Sequence, residues 1–172
     1  MRPLSVPPAK SDHVLGSLGA PIVIVEYGDY DCPHTRRAHA TLQQLMSESP
    51  GRIALVFRHF PLRHLHANAQ RLSELMEGIT DASRYWAAHE SLMAQGRLSL
   101  ILAKEQLTAL SLDVAELSVS DPSVVERVEA SVQQGLSDGV HSTPSFFFNG
   151  APHDGHYDLD TLRQQLAAAP SA

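Results

Sequence analysis

Cysteine is scarce here: 172 residues carry one, Cys32. With no second thiol the chain cannot close a disulfide on itself, so any redox cycle must run through a bond to another molecule. Basic residues are also few, 13 Lys and Arg against 19 Asp and Glu for a formal charge of −6, with no local basic block. That balance excludes the electrostatic footprint of a nucleic-acid binder. Nowhere do roughly 18 or more apolar residues run together, and residues 1–20 lack the apolar stretch of a secretory signal. The expectation is a cytoplasmic protein that spans no membrane, in a compartment where a lone thiol stays reduced. A Gly-x-Ser-x-Gly elbow, a glycine-rich phosphate loop and a His-Glu-x-x-His pair are missing too. Acyl transfer, nucleotide chemistry and a bound metal are therefore not expected.

What is present reads as one α/β domain, with 43% hydrophobic residues to build a core. Residues 1–12 hold Pro3, Pro7 and Pro8 and read as a flexible arm. Ile22 to Tyr27, bounded by Pro21 and Gly28, is a short apolar run typical of a strand buried on both faces. Pro33 falls at a first helical position with Cys32 as its cap, and Ala38, Leu42, Leu45 and Met46 recur at helical spacing up to Pro50-Gly51. Ile53 to Phe57 reads as a second strand, parallel to the first. From residue 62 to 138 the periodicity is helical only, with Asp81 and Asp121 at helix starts. Ser145 to Phe148 is a strand, Asn149-Gly150 predicts a tight hairpin, and Leu159, Leu162 and Leu166 mark a terminal helix.

Chemistry concentrates at Cys32. A helix start offers unpaired N–H groups that favour thiolate; His34, if protonated, adds to the effect, while Asp29 and Asp31 oppose it. Glu26 is the one charge in the first strand, where burial should raise its pKa. Pro144 stands where a strand would exclude it, so Thr143-Pro144 should form a strand start or tight turn. His59, His66 and the set Arg58, Arg63, Arg71 read as surface groups.

The stretches Tyr27-Gly28-Asp29-Tyr30-Asp31-Cys32-Pro33-His34, Phe57-Arg58-His59-Phe60-Pro61-Leu62, Tyr85-Trp86-Ala87-Ala88-His89 and Gly139 to Gly150 resemble the DsbA-like family of the thioredoxin superfamily. The resemblance implies a thioredoxin-like fold, a central mixed sheet flanked by helices, with an all-helical subdomain at 62–138 inserted between core segments 13–61 and 139–168. It also implies that Cys32 attacks disulfides within a Cys32-Pro33-His34-Thr35 motif and that Glu26 is the buried acid. Ser142, Thr143 and a cis Pro144 would form the loop that binds the partner chain. Thr35 departs from the pattern, standing where the family has its resolving cysteine. A mixed disulfide on Cys32 would then be released only by an outside thiol.

The first expectation is thus a monothiol thiol-disulfide oxidoreductase, a monomer or weak homodimer. It would act on protein or low-molecular-weight thiols and disulfides, with glutathione as co-substrate and no tightly bound cofactor. Thr35 would offer its hydroxyl to the Cys32 sulfur. The alternatives are a glutathione-dependent transferase or isomerase, in which the attacking sulfur is glutathione's, and a redox-inactive module that holds an extended peptide at Thr143-Pro144.

Overall fold

β-Branched residues at Ile22 to Val25 favour extended backbone, and they open the strand β2 (Ile22–Gly28). The strand β3 (Ile53–His59) is buried at every position and runs parallel to β2, from Ile22 opposite Ile53 to Gly28 opposite His59. The helix α1 (Pro33–Glu48) makes the crossover between them. On the other side of β2 lies the antiparallel strand β4 (Ser145–Phe148). It turns into β5 (Ala151–His153) through Asn149 and Gly150, both at positive φ, 49° and 82°. That pair of left-handed residues is what a two-residue hairpin of this twist demands.

A fifth strand, β1 (His13–Leu15), pairs antiparallel with β3. Sequence reading missed it, because three residues are too few to show an alternation. The sheet order is β1-β3-β2-β4-β5. A computed structural model describes residues 1–115, 117 and 121–168, so 116 and 118–120 of the expected insertion lie outside it.

Among the described residues, four helices fill the stretch between the sheet halves: α2 (Ala69–Glu77), α3 (Ala82–Met93), α4 (Leu100–Ala109) and α5 (Pro122–Ser137). The side chains of Asp81 and Asp121 accept from first-turn N–H groups, so both expected helix starts are real caps, and Ser99 caps α4 in the same way. Helix α6 (Leu159–Ala168) closes the chain.

Strand alternation sorts the core into two clusters. Ile22, Ile24, Leu55 and Phe57 join Leu42 of α1, Leu72 and Leu75 of α2, Leu92 of α3 and Leu107 of α4. On the opposite face Val25, Tyr27, Val56 and Phe147 pack with Phe60, Val140 and Val132 of α5. The inserted helices α2, α3 and α4 therefore share the sheet's core, and α5 crosses to the other face. Gly135 permits that crossing, since a Cβ there would lie 2.7 Å from the Phe60 ring.

The arm at 1–12 is held rather than loose. Arg2 N–H donates to the Asp138 carbonyl (2.8 Å), Ser5 N–H to Asp138 Oδ1 (2.7 Å) and Leu4 N–H to the Gly150 carbonyl (3.0 Å). Prolines keep this segment out of the sheet, so loop carbonyls and the Asp138 and Arg58 side chains satisfy its backbone instead. Arg58, expected on a solvated face, is buried at 3% exposure, and its guanidinium donates to the carbonyls of Val6 and Pro7.

Candidate active site

Cys32 caps α1 in extended geometry (φ −76°, ψ 120°), and Pro33 takes the first helical position. Its carbonyl accepts from Arg36 N–H at 3.3 Å. The N–H groups of His34 and Thr35 come before that first intrahelical bond, so they point out of the helix start as unspent donors. The Cys32 thiol is 3% exposed and donates to the Thr143 carbonyl at 3.4 Å, a contact between residues from opposite ends of the chain. The Thr143–Pro144 peptide bond is cis. Thr143 is buried, and its hydroxyl finds no partner among the described residues. Ser142 is exposed, and its carbonyl accepts from Ser145 Oγ at 2.8 Å.

Two expected neighbours of the sulfur are occupied elsewhere. His34 is exposed, and its Nδ1 lies 2.9 Å from Arg37 Nη2 and 2.8 Å from Tyr157 Oη. A guanidinium only donates, so His34 Nδ1 accepts in that contact, and the ring is turned to Arg37 and Tyr157 rather than to the sulfur. Thr35 is buried, and its Oγ1 accepts from Asp29 N–H at 3.3 Å instead of serving the sulfur. The turn that precedes α1 folds back over the first helical turn and brings that N–H inside.

Asp29 and Asp31 organise this turn, a role sequence reading missed. Asp29 is fully buried; its Oδ1 accepts from Asp31 N–H (2.8 Å), while Oδ2 accepts from Leu62 N–H (3.0 Å) and meets His66 Nδ1 (2.7 Å). Asp31 Oδ2 accepts from the backbone N–H and the side-chain amide of Asn68 (3.1 and 3.4 Å). The two carboxylates thus bolt the cysteine turn to the segment 62–68. His66, expected at the surface, is one of Asp29's partners. The habit of aspartates to bond backbone two residues on was the signal available.

Glu26 is fully buried and neither of its oxygens has a hydrogen-bond partner among the described residues, so burial pushes it up to about 8. At neutral pH it is mostly protonated. No hydrogen bond links it to Cys32 among the described residues. Nearby on the sequence, Tyr30 Oη contacts His89 Nδ1 (2.7 Å) and Tyr85 Oη (3.1 Å). His39 lies against His89, its ring 4.8 Å away, and burial pulls it down to about 4. His59, expected at the surface, is 2% exposed because the first shell of helices covers its strand. The structure therefore brings Cys32 to Thr143, and sets Glu26 in the strand beside them without contact.

A family model described as thioredoxin matches residues 9–168. Among solved structures, a thioredoxin-like oxidoreductase from Silicibacter pomeroyi DSS-3 is 26% identical with a TM-score of 0.81, covering 94% of this chain and 93% of that one. BdbD from Bacillus subtilis (18% identity, TM-score 0.78, 97% of each chain) and alpha-DsbA1 from Wolbachia pipientis (18%, 0.81, 94% and 92%) share the fold. The fold is thus thioredoxin-like, of the DsbA-like kind. Among curated proteins, the Na(+)/H(+) antiporter NhaA 1 of Salinispora arenicola is 33% identical over 161 residues, 92% of this chain but 24% of that protein. NhaA of Nitrosospira multiformis is 33% identical over 162 residues, 90% and 25%. This chain spans about a quarter of the length of the curated relatives it matches.

Proposed function

This chain belongs to the thioredoxin family, and from that premise we propose that it is a monothiol thiol-disulfide oxidoreductase. The observation that carries the reading is Cys32 at a helix start, its sulfur turned to the Thr143 carbonyl. In the proposed cycle the thiol gives up that hydrogen bond and its proton, and the thiolate takes its place before the free N–H groups of His34 and Thr35. It attacks a disulfide R–S–S–R′, forms the mixed disulfide Cys32–S–S–R and releases R′ as thiolate. An external thiol of the glutathione class then attacks this bond, carries R away in a new disulfide and frees Cys32. Thr35, with no sulfur to offer, leaves the second step to the outside thiol. Ser142, Thr143 and Pro144 would line the seat of R. The proton lost from Cys32 passes to solvent and is taken up by the released R′ thiolate; Glu26, already protonated and with no hydrogen bond to Cys32, is not its acceptor.

The cycle consumes a reduced small thiol, so we assign it to a reducing compartment. The antiporters share only the segment equivalent to this chain, and no helix among the described residues is long and apolar enough to cross a membrane. We assign that segment thiol chemistry rather than ion exchange.

Intact mass after exposure to oxidised glutathione, paired with a small-disulfide reduction assay, tests the reading. One adduct that reduced glutathione removes is expected, with adduct and turnover both absent in Cys32→Ser. Turnover that persists in Cys32→Ser, or no adduct on the native chain, would overturn it.

A further inference from the structure

His13 faces Phe57 across the β1–β3 ladder. Successive strand residues alternate faces, so Phe57 and His59 point the same way, and His13 joins them on that side. Their imidazoles meet edge to face with centroids 5.7 Å apart. Helix α2 ends over the same spot at Glu77, whose Oε2 lies 2.7 Å from His13 Nε2 and 3.2 Å from His59 Nε2. From these positions we infer that His13, His59 and Glu77 bind a divalent cation of the zinc class, clamping the edge strand β1 and strand β3 to the end of α2.

The three ligand atoms all lie within 4.8 Å of one another. Ligands at about 2.0–2.2 Å in tetrahedral array sit roughly 3.3 Å apart, so the trio closes on a cation with shifts of order 1 Å. A second observation points the same way. His59 is 2% exposed, yet among the described residues neither ring nitrogen has a hydrogen-bond partner, its Nε2 standing near Glu77 but off the line of a bond. A buried imidazole left unsatisfied is costly, and a cation on Nε2 would use the idle lone pair.

The surroundings hold the ligands in place. The His13 ring lies flat on Tyr85, centroids 3.6 Å apart with 1° between planes. Arg127 Nε donates to Glu77 Oε1 at 2.6 Å, which leaves Oε2 alone to face the two imidazoles. Such outer bonds orient metal ligands in general. A cleft of about 710 Å³, lined by His13 and Glu77 among others, leads to the site from solvent and leaves room for water as a fourth ligand. Two imidazoles with one carboxylate suit zinc better than calcium or magnesium, which prefer oxygen alone.

The test uses the full chain as Cys32→Ser, so that no thiol can ligate, with Zn²⁺ alone in equilibrium dialysis near neutral pH and Co²⁺ as the visible-absorption probe. One retained Zn²⁺ per chain and the bands of tetrahedral Co²⁺ are expected. Glu77→Gln and the partly exposed His13→Gln should weaken both by about 10-fold or more, while a His153→Ala, His156→Ala double variant leaves them unchanged. X-ray absorption at the zinc edge on the Cys32→Ser chain reads the ligands without touching them, and two imidazoles with a carboxylate are expected. No retained Zn²⁺, undiminished affinity in folded Glu77→Gln, or a different ligand set would overturn the inference.

Discussion

Glu26 and Arg58 stand on neighbouring strands, Glu26 opposite Phe57 and Arg58 opposite Tyr27, so their side chains leave the sheet on opposite faces. Both are buried, at 0% and 3% exposure. Their company differs entirely. Arg58 spends Nε and Nη2 on the Asp12 carboxylate (2.9 and 3.2 Å) and Nη1 on Tyr27 Oη (3.2 Å), besides the two arm carbonyls. Glu26 has nothing. A buried charge with every hydrogen placed stays charged and ties segments together, whereas one with no partner gives up its charge near neutrality. Depth alone does not say what a buried ionisable group is for; its partners do.

The sharpest way to break this contrast is Arg58→Ala. Removing one side of a buried pair leaves Asp12 and two carbonyls uncompensated, so a loss of about 3–5 kcal/mol in urea unfolding is expected, with faster proteolysis of the arm. A loss below about 1 kcal/mol would make Arg58 the equal of an exposed arginine.

Next comes Glu26→Gln. The folded group titrates at about 8 against 4.5 in the open chain. Its contribution to stability is present below pH 4.5 and is lost as pH rises through the window to about 8. Native stability should fall by about 2–4 kcal/mol between those limits on this account, and Glu26→Gln should remove that slope whatever it does to the absolute level. A native profile that is level from pH 6.5 to 8 would contradict the unpartnered carboxyl.

His39 has the opposite sign. Lowered from 6.5 to about 4, it contributes stability above 6.5 that is lost as pH falls toward 4. His39→Leu should therefore flatten the acid limb and leave the alkaline one alone, as thermal melts across pH will read. The smallest effect belongs to Tyr27→Phe. It removes the hydroxyl that accepts from Arg58 and donates to Asp138 at 3.0 Å, for about 1 kcal/mol, because both charged partners keep other bonds.

The same contrast marks what was legible in the sequence. Local signals told the truth: the β-branched run of β2, Pro33 behind Cys32, the aspartate caps and the Asn149-Gly150 turn are each decided within a few residues. Glu26 was readable too, since its strand is covered on both faces. Arg58, His59 and Asp29 were not, because their roles depend on Asp12, Glu77 and Leu62, which no periodicity places beside them. The contacts of His34 and Thr35 were hidden for a related reason: Tyr157 and the Asp29 backbone N–H, which meet them, arrive by folding. The arm went unrecognised because prolines announce the absence of a strand and say nothing of Arg58 waiting beneath.

A cysteine only 3% exposed, with α1 at its back and the Thr143 carbonyl over it, also imposes a direction on displacement. Exchange at sulfur runs along the axis of the bond being broken. For a disulfide on Cys32, the rear of the inner sulfur is walled by protein, and the outer sulfur is the one an incoming thiolate can meet. In the proposed cycle, attack there would expel Cys32 and hand R to the newcomer. On the proposed cycle that shape would make exchange regioselective, choosing which of two chemically similar atoms reacts.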